Sequence, residues 1–162
     1  MKIRPFQTSD RRAMLNLWHQ GWHDAHAHLV PATILEYRTL PYFFVWMDEC
    51  PDDFFVLYEE EQIVGFVSLS GSEIVKLYVN REFRGKNAAW LLMEFAEATL
   101  ASNGITVAEL FCTEGNTRAE RFYIRRGWKL SRVFEDCLWL PNSASKKSQT
   151  VKTQHFIKTI SL

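Results

Sequence analysis

IVKLYVNREFRGKNAAWLLMEFAEATL, residues 74–100, changes its hydrophobic period from strand to helix across a charged, glycine-containing turn, and that change decides the fold. The first part is an apolar strand that starts at Glu73. The chain turns at Arg84-Gly85-Lys86, and Leu91, Leu92, Phe95, Ala96 and Leu100 then recur at helical spacing. A strand that turns tightly into a helix aims unpaired backbone N–H groups at whatever lies before the helix, and the helix dipole adds positive charge there. Such a turn seats a pyrophosphate. Further on, an apolar run over residues 106–112 leads into Asn116, Ala119, Phe122 and Tyr123, followed by Gly127-Trp128.

Together the two segments resemble the GNAT superfamily of N-acetyltransferases. Leu77-Tyr78-Val79 and Arg84-Gly85-Lys86-Asn87-Ala88-Ala89 match the family's central strand and its R/Q-x-x-G-x-G/A turn, and Asn116 to Tyr123 match its second motif. Two motifs at the right separation are fairly specific where each alone is weak. The resemblance covers residues 60–130 by motif. It implies one α/β domain over residues 1–162: a mostly antiparallel, twisted sheet of about six to seven strands, splayed at its centre and flanked by helices. It also implies acetyl-CoA as co-substrate. Backbone groups of Leu77, Tyr78 and Val79 would pair with the pantetheine arm as with an added strand, and Arg84, Gly85, Lys86, Asn87, Ala88 and Ala89 would hold the pyrophosphate. Asn116 would cap its helix and reach the arm. Asn87 stands where the family usually has glycine; asparagine adopts left-handed backbone angles more readily than most residues, so the turn is expected to keep its shape.

Acetyl transfer to an amine requires two reactants held together, a proton removed from the amine, an oxyanion stabilised and a leaving thiolate protonated. By resemblance Tyr123 touches the cofactor and gives its proton to the departing sulfur. Glu73, in the S-E-I-V segment where some family members carry a catalytic glutamate, is the candidate base, with ordered water as the alternative. Trp22, His23, His26 and Tyr37 lie in the region that walls the acceptor pocket in the family, and Trp18 reads as core. Cys112 near Asn116 invites a thiol nucleophile, but the sequence shows no histidine that reaches it, so direct attack in a ternary complex is expected. The expected acceptor is the primary amine of a small molecule. A protein N-terminus or lysine side chain is the enzyme alternative, and a non-catalytic acyl-CoA-binding module is the other.

Composition narrows the field. The chain has 162 residues, 47% hydrophobic and 14% aromatic, enough for one substantial core. The net charge is zero, which gives no reason to expect nucleic acid or a membrane as partner. Charge is unevenly placed: residues 39–75 hold eight acids and no Lys or Arg, whereas residues 115–132 hold six basic residues and one acid. The first region suits a cationic amine and the second an anionic cofactor, if the two faces are more than solvated surface. No run reaches the roughly 18–20 apolar residues of a membrane span and the N-terminus has no signal-peptide core, so a cytoplasmic location is expected. Cys50, Cys112 and Cys137 lack CxxC spacing and read as buried thiols. His19, His23, His26 and His28 fall within ten residues but complete no zinc motif, so no metal is expected. Self-association through the last strands, giving a homodimer, is compatible with the resemblance.

Periodicity and turn residues predict strands over 2–6, 54–58, 63–70, 73–79, 106–112, 128–140 and 151–160. Helices are predicted to about residue 20 after a cap at Thr8, Ser9 or Asp10, from Pro31 to about residue 38, over 42–48, over 88–102 with a stop at Asn103-Gly104, and over 116–126. The polar stretch PNSASKKSQT, residues 141–150, reads as a mobile hairpin loop, with a lid over the acceptor as the alternative.

Overall fold

A computed structural model describes residues 1–145 and 147–162; Lys146, within the polar loop, lies outside the described residues. The strands are β1 (Lys2–Pro5), β2 (Asp53–Glu59), β3 (Gln62–Ser70), β4 (Glu73–Val79), β5 (Val107–Thr113), β6 (Lys129–Cys137) and β7 (Thr150–Thr159). The helices are α1 (Arg11–His26), α2 (Leu40–Glu49), α3 (Ala88–Ser102) and α4 (Thr117–Arg125). The strands make one sheet in the order β1-β2-β3-β4-β5-β7-β6. Every neighbouring pair is antiparallel except β4–β5, which is parallel and joined by the single register pair Glu73↔Glu109. Beyond that rung the two strands part. The mostly antiparallel sheet expected, of about six to seven strands and splayed at its centre, is thus present, with seven strands and one parallel pair.

Two apolar clusters cover the two faces. One joins Leu92, Met93, Ala96 and Leu100 of α3 to Val67, Leu110 and Phe156 of the sheet. The other packs Met14, Trp18 and Trp22 of α1 and Phe43 of α2 against Phe54 and Phe66. Side chains alternate across a strand, so β2, β3 and β4 feed both clusters, whereas β5 and β7 feed the α3 side alone. At the β2–β3 turn Glu60 and Glu61 both take positive φ, 48° and 67°, a two-residue turn whose twist matches the hairpin.

The structure corrects several boundaries. Helix α1 runs to His26 instead of stopping near residue 20, because Gly21 is packed, not exposed: a Cβ there would lie 2.7 Å from Tyr78 Cδ1. The helix therefore continues through a residue that usually weakens one, and the Tyr78 ring abuts it there. Asp10 precedes α1 without capping it; its carboxylate accepts from Arg4 and from the Gln7 N–H instead. Residues Ala32–Tyr37 form a 3-10 turn, tighter than the helix expected after Pro31. Of the three cysteines only Cys112 is buried; Cys50 is half-buried and Cys137 is exposed on edge strand β6.

Two cations are buried among the aromatic side chains of the α1–α2 side. Lys76 donates to Asp52 Oδ2 at 2.6 Å, with the Ser68 hydroxyl donating to the same oxygen at 2.7 Å. Arg38 is 1% exposed, lies over the rings of Trp22, Trp46 and Trp139, and donates to the carbonyls of Tyr37 and Trp139. The Trp46 and Trp139 rings stack with centroids 4.8 Å apart. Arg38 therefore ties the segment after β6 to the corner between the first two helices, residues 101 apart in sequence.

Candidate active site

The parting of β4 from β5 opens a cavity of about 800 Å³ that passes through the sheet. Gly21, Ala25 and His26 of α1 line one end, and Ala88, Trp90 and Tyr123 of α3 and α4 line the other. Between them run the β4 residues 75–79 and the β5 residues Phe111, Cys112 and Thr113. A β-bulge marks the place where the strands separate: Ser68 pairs with Lys76 and Leu69 with Ile74, which leaves Val75 as the extra residue. Val75 backbone is thereby turned out of the ladder beside the cavity.

At the α3 end, Gly85 and Asn87 hold φ of 78° and 64°, and Asn87 makes no side-chain cap to the helix it opens. The turn keeps the left-handed geometry for which glycine is usual, since asparagine tolerates that region. The first helical N–H groups have no partner inside the helix, and no cap from Asn87 occupies them. They are free to face an anion at the cavity mouth. Arg84, Arg118, Arg125 and Arg126 surround the same mouth. Arg84 and Arg81 both donate to Asp24 of α1, which lowers that carboxyl to a pKa of about 2, chiefly through the Arg81 hydrogen bond.

Tyr123 faces the cavity from α4, and burial, reinforced by Cys112 and Tyr78, pushes its phenol above the ordinary value, so it stays protonated. Asn116 is the N-cap of α4: its side-chain oxygen accepts from the Ala119 N–H at 3.5 Å while the residue lines the cavity. Cys112 also lines it, and burial pushes its thiol up to about 12.

The sequence-predicted residues Leu77, Tyr78, Val79, Arg84, Gly85, Asn87, Ala88, Ala89, Asn116 and Tyr123 all meet at this one cavity. Lys86 belongs to the turn but points its ammonium at the Phe83 ring, 5.1 Å away. Of the acceptor-side residues, His26 lines the cavity, and burial lowers its pKa to about 4. Trp22 is buried in the α1–α2 core, His23 Nε2 donates to the Arg38 carbonyl at 2.6 Å, and Tyr37 packs edge-on against Tyr42; none of these three lines the cavity. Glu73 stands outside the cavity lining, at the closed end of the seam, with a carboxyl raised to about 7, first by burial and then by Glu109. Sequence reading passed over Gly21 and Ala25, whose four-residue spacing puts two small side chains on one helix face, and over Phe111, on the β5 face that alternates with Cys112.

The arrangement joins an anion seat, a cavity between two parted strands, and a protonated phenol. A family model for the acetyltransferase (GNAT) family matches residues 12–128, and the chain belongs to that family. It is an acetyl-CoA-dependent acetyltransferase. No curated protein matches the sequence. Among solved structures, a GCN5-related N-acetyltransferase from Rhodopseudomonas palustris is similar at a TM-score of 0.74 and 16% identity, over 98% of this chain and 95% of that one. A ribosomal-protein-alanine N-acetyltransferase from Brucella melitensis is similar at 0.71 and 15%, over 99% and 100%. The PaiA N-acetyltransferase from Thermoplasma acidophilum, in complex with coenzyme A, is similar at 0.65 and 16%, over 94% and 96%. At these identities the likeness is one of fold. Among the described residues no helix is long and apolar enough to cross a membrane.

Proposed function

We propose that the protein transfers the acetyl group of acetyl-CoA to the primary amine of a small molecule by direct attack, with the two reactants meeting inside the parted sheet. The observation that carries this reading is a cavity lined from both faces of the sheet, so that a cofactor seated at the start of α3 and an amine beside α1 reach the same stretch of β4. Bound acetyl-CoA supplies an activated acyl thioester. The free N–H groups before α3 and the arginines of the mouth hold its phosphates, and the backbone of Leu77 and Val79 pairs with its amide arm.

The chain's own residues then divide the proton traffic. Glu73, outside the cavity lining and raised to about 7, takes a proton from the ammonium through an ordered water, since a base near neutrality is best matched to that task. Tyr123, kept protonated by burial, supplies the proton that the departing sulfur needs. Cys112 is a poor nucleophile because burial keeps it a thiol, and this favours direct attack over an acetyl-cysteine route. Beyond the cavity lining, the Trp46–Trp139 stack, Arg38 bonded to the Trp139 carbonyl and Thr33 donating to Gln149 at 2.6 Å pin the segments that flank the polar loop. The α1 end of the cavity, lined by Gly21, Ala25 and His26, suits a compact amine, and Glu73 and Glu109 at the head of the seam suit a cation.

The test is a thermal shift with acetyl-CoA, CoA and ATP, followed by thiol release over a panel of small amines and of peptides with free N-termini or lysines. A rise with both CoA compounds but not ATP, with turnover on small amines, is expected. Turnover on peptides alone would move the acceptor class, and no shift with any CoA compound would overturn the reading.

A further inference from the structure

Glu73 and Glu109 are partners in the only rung that joins β4 to β5 among the described residues. Lateral neighbours in a sheet lie about 5 Å apart and send their side chains to the same face. Glu109 is held from the next strand: His155 Nε2 donates to its Oε2 at 2.9 Å. The His155 ring is itself fixed, stacked on Phe111 with centroids 4.8 Å apart and planes 17° from parallel. Phe111 lines the cavity two residues beyond Glu109 on the same face of β5. A connected row of side chains thus runs from β7 through β5 to the base on β4.

We propose that Glu109, fixed by His155, is a positioning residue for acetyl transfer: its carboxylate, held beside Glu73 at the head of the seam, tunes Glu73 as acceptor of the proton of the incoming ammonium. The inference rests on the proposed function, with Glu73 as base. In the step concerned an N–H bond of R–NH3⁺ breaks, its electron pair stays on nitrogen, the proton passes to an ordered water, and that water gives up a proton to a Glu73 carboxylate oxygen. Glu73 later returns that proton to water. After attack, nitrogen loses a second proton, which passes through water to the Tyr123 phenolate and so restores the phenol that gave its proton to sulfur. Nothing is oxidised or reduced.

The surroundings of Glu73 leave Glu109 as the neighbour able to set its behaviour. The groups that act on it are Glu109 from β5, Asp52 from the segment before β2, Lys76 farther along β4 and Asp136 from β6. The Lys76 ammonium is already bonded to Asp52, so that pair contributes little net charge. Asp136 is the weakest of the four influences, which leaves Glu109 as the strongest charged one. Without the His155 hydrogen bond, Glu109 would be free to swing toward solvent.

The test compares the parent with Glu109→Gln by ¹³C NMR titration of labelled glutamate carboxyls, which reads Glu73 whether or not an acceptor is known. The pH profile of kcat/KM for an accepted amine is measured beside it. The Glu73 midpoint and the acidic limb of the profile are both expected to move down by about half to one unit, with the acetyl-CoA KM unchanged. Glu109→Asp, which keeps the charge, should titrate near the parent and serves if the glutamine variant fails to fold. His155→Phe keeps the stack, removes the hydrogen bond, and should shift the limb in the same direction. An unmoved Glu73 midpoint in folded Glu109→Gln overturns the proposal. So does a rate loss equal at every pH. A midpoint that moves while the limb stays still also overturns it, by removing Glu73 as base without touching acetyl transfer itself; a parent that acetylates no amine sinks the function reading alone, because the titration still reports the Glu73–Glu109 coupling.

Discussion

Replacing Asp52 by asparagine would keep the volume of the side chain and remove the one carboxylate bonded to the buried Lys76. The pair is dry: side-chain exposure is 8% for Lys76 and 4% for Asp52. Lys76 Nζ lies 5.2, 5.9 and 5.7 Å from the ring centres of Trp18, Trp46 and Phe54, which offset part of the loss but cannot hydrate an ammonium. Breaking one partner of a buried pair costs about 3–5 kcal/mol, because an uncompensated charge stays inside. For a domain of this size each kcal/mol lowers the melting temperature by about 2–4 °C, so the variant should melt roughly 6–20 °C below the parent. Urea denaturation should show the same loss with an unchanged slope. The double variant Asp52→Leu with Lys76→Met fills the space with apolar groups and should recover most of the loss. A single variant within about 1 kcal/mol of the parent would refute the argument, because it would mean that Lys76 is solvated or neutral without its partner.

Tyr123→Phe should lower kcat by about 10²-fold or more with acetyl-CoA affinity retained, measured by steady-state rates and calorimetry; an unchanged kcat would assign the hydroxyl to packing. Asn87→Val should weaken CoA binding and cost about 1–2 kcal/mol, since a β-branched residue resists the φ of 64° found there, while Asn87→Gly should bind CoA at least as well as the parent. Glu73→Gln should stabilise the fold in a pH-dependent way. The carboxyl is raised from 4.5 to about 7, so the parent carries no charge penalty below about pH 4.5 and the full penalty above pH 7. After allowance for partial solvent screening, the variant should gain about 1–2 kcal/mol at pH 8 and nothing near pH 4, read from melting curves at both.

Sequence patterns located elements whose information is local. The ends of β4 and α3 coincide with their expected limits because a strand-to-turn change and the Asn103-Gly104 stop are written in neighbouring residues. Helix α1 was expected to be short because Gly21 weakens a helix taken alone; what overrides it is the Tyr78 ring, which a pattern within the helix does not contain. The cofactor side of the site was legible for the same local reason, being a loop and two helix starts. The acceptor side was not. Trp22, His23 and Tyr37 sit in the expected region, but Arg38 draws the aromatic rings and the His23 N–H into a core of its own, through a bond to Trp139 that no sequence spacing announces. Glu109 and His155 lie 46 residues apart and meet only through strand register.

The single rung between β4 and β5 gives the two half-sheets an unequal bond across their two faces. On the α3 side they are joined by apolar packing of Ile74, Leu92, Leu110 and Phe156, which strengthens on modest warming from the cold. On the other side the groups nearest the rung are charged, and added salt weakens their mutual forces. Temperature and ionic strength therefore pull on opposite faces of the same joint, and the width of the slot between the halves becomes a mechanical property set by the medium as well as by the fold.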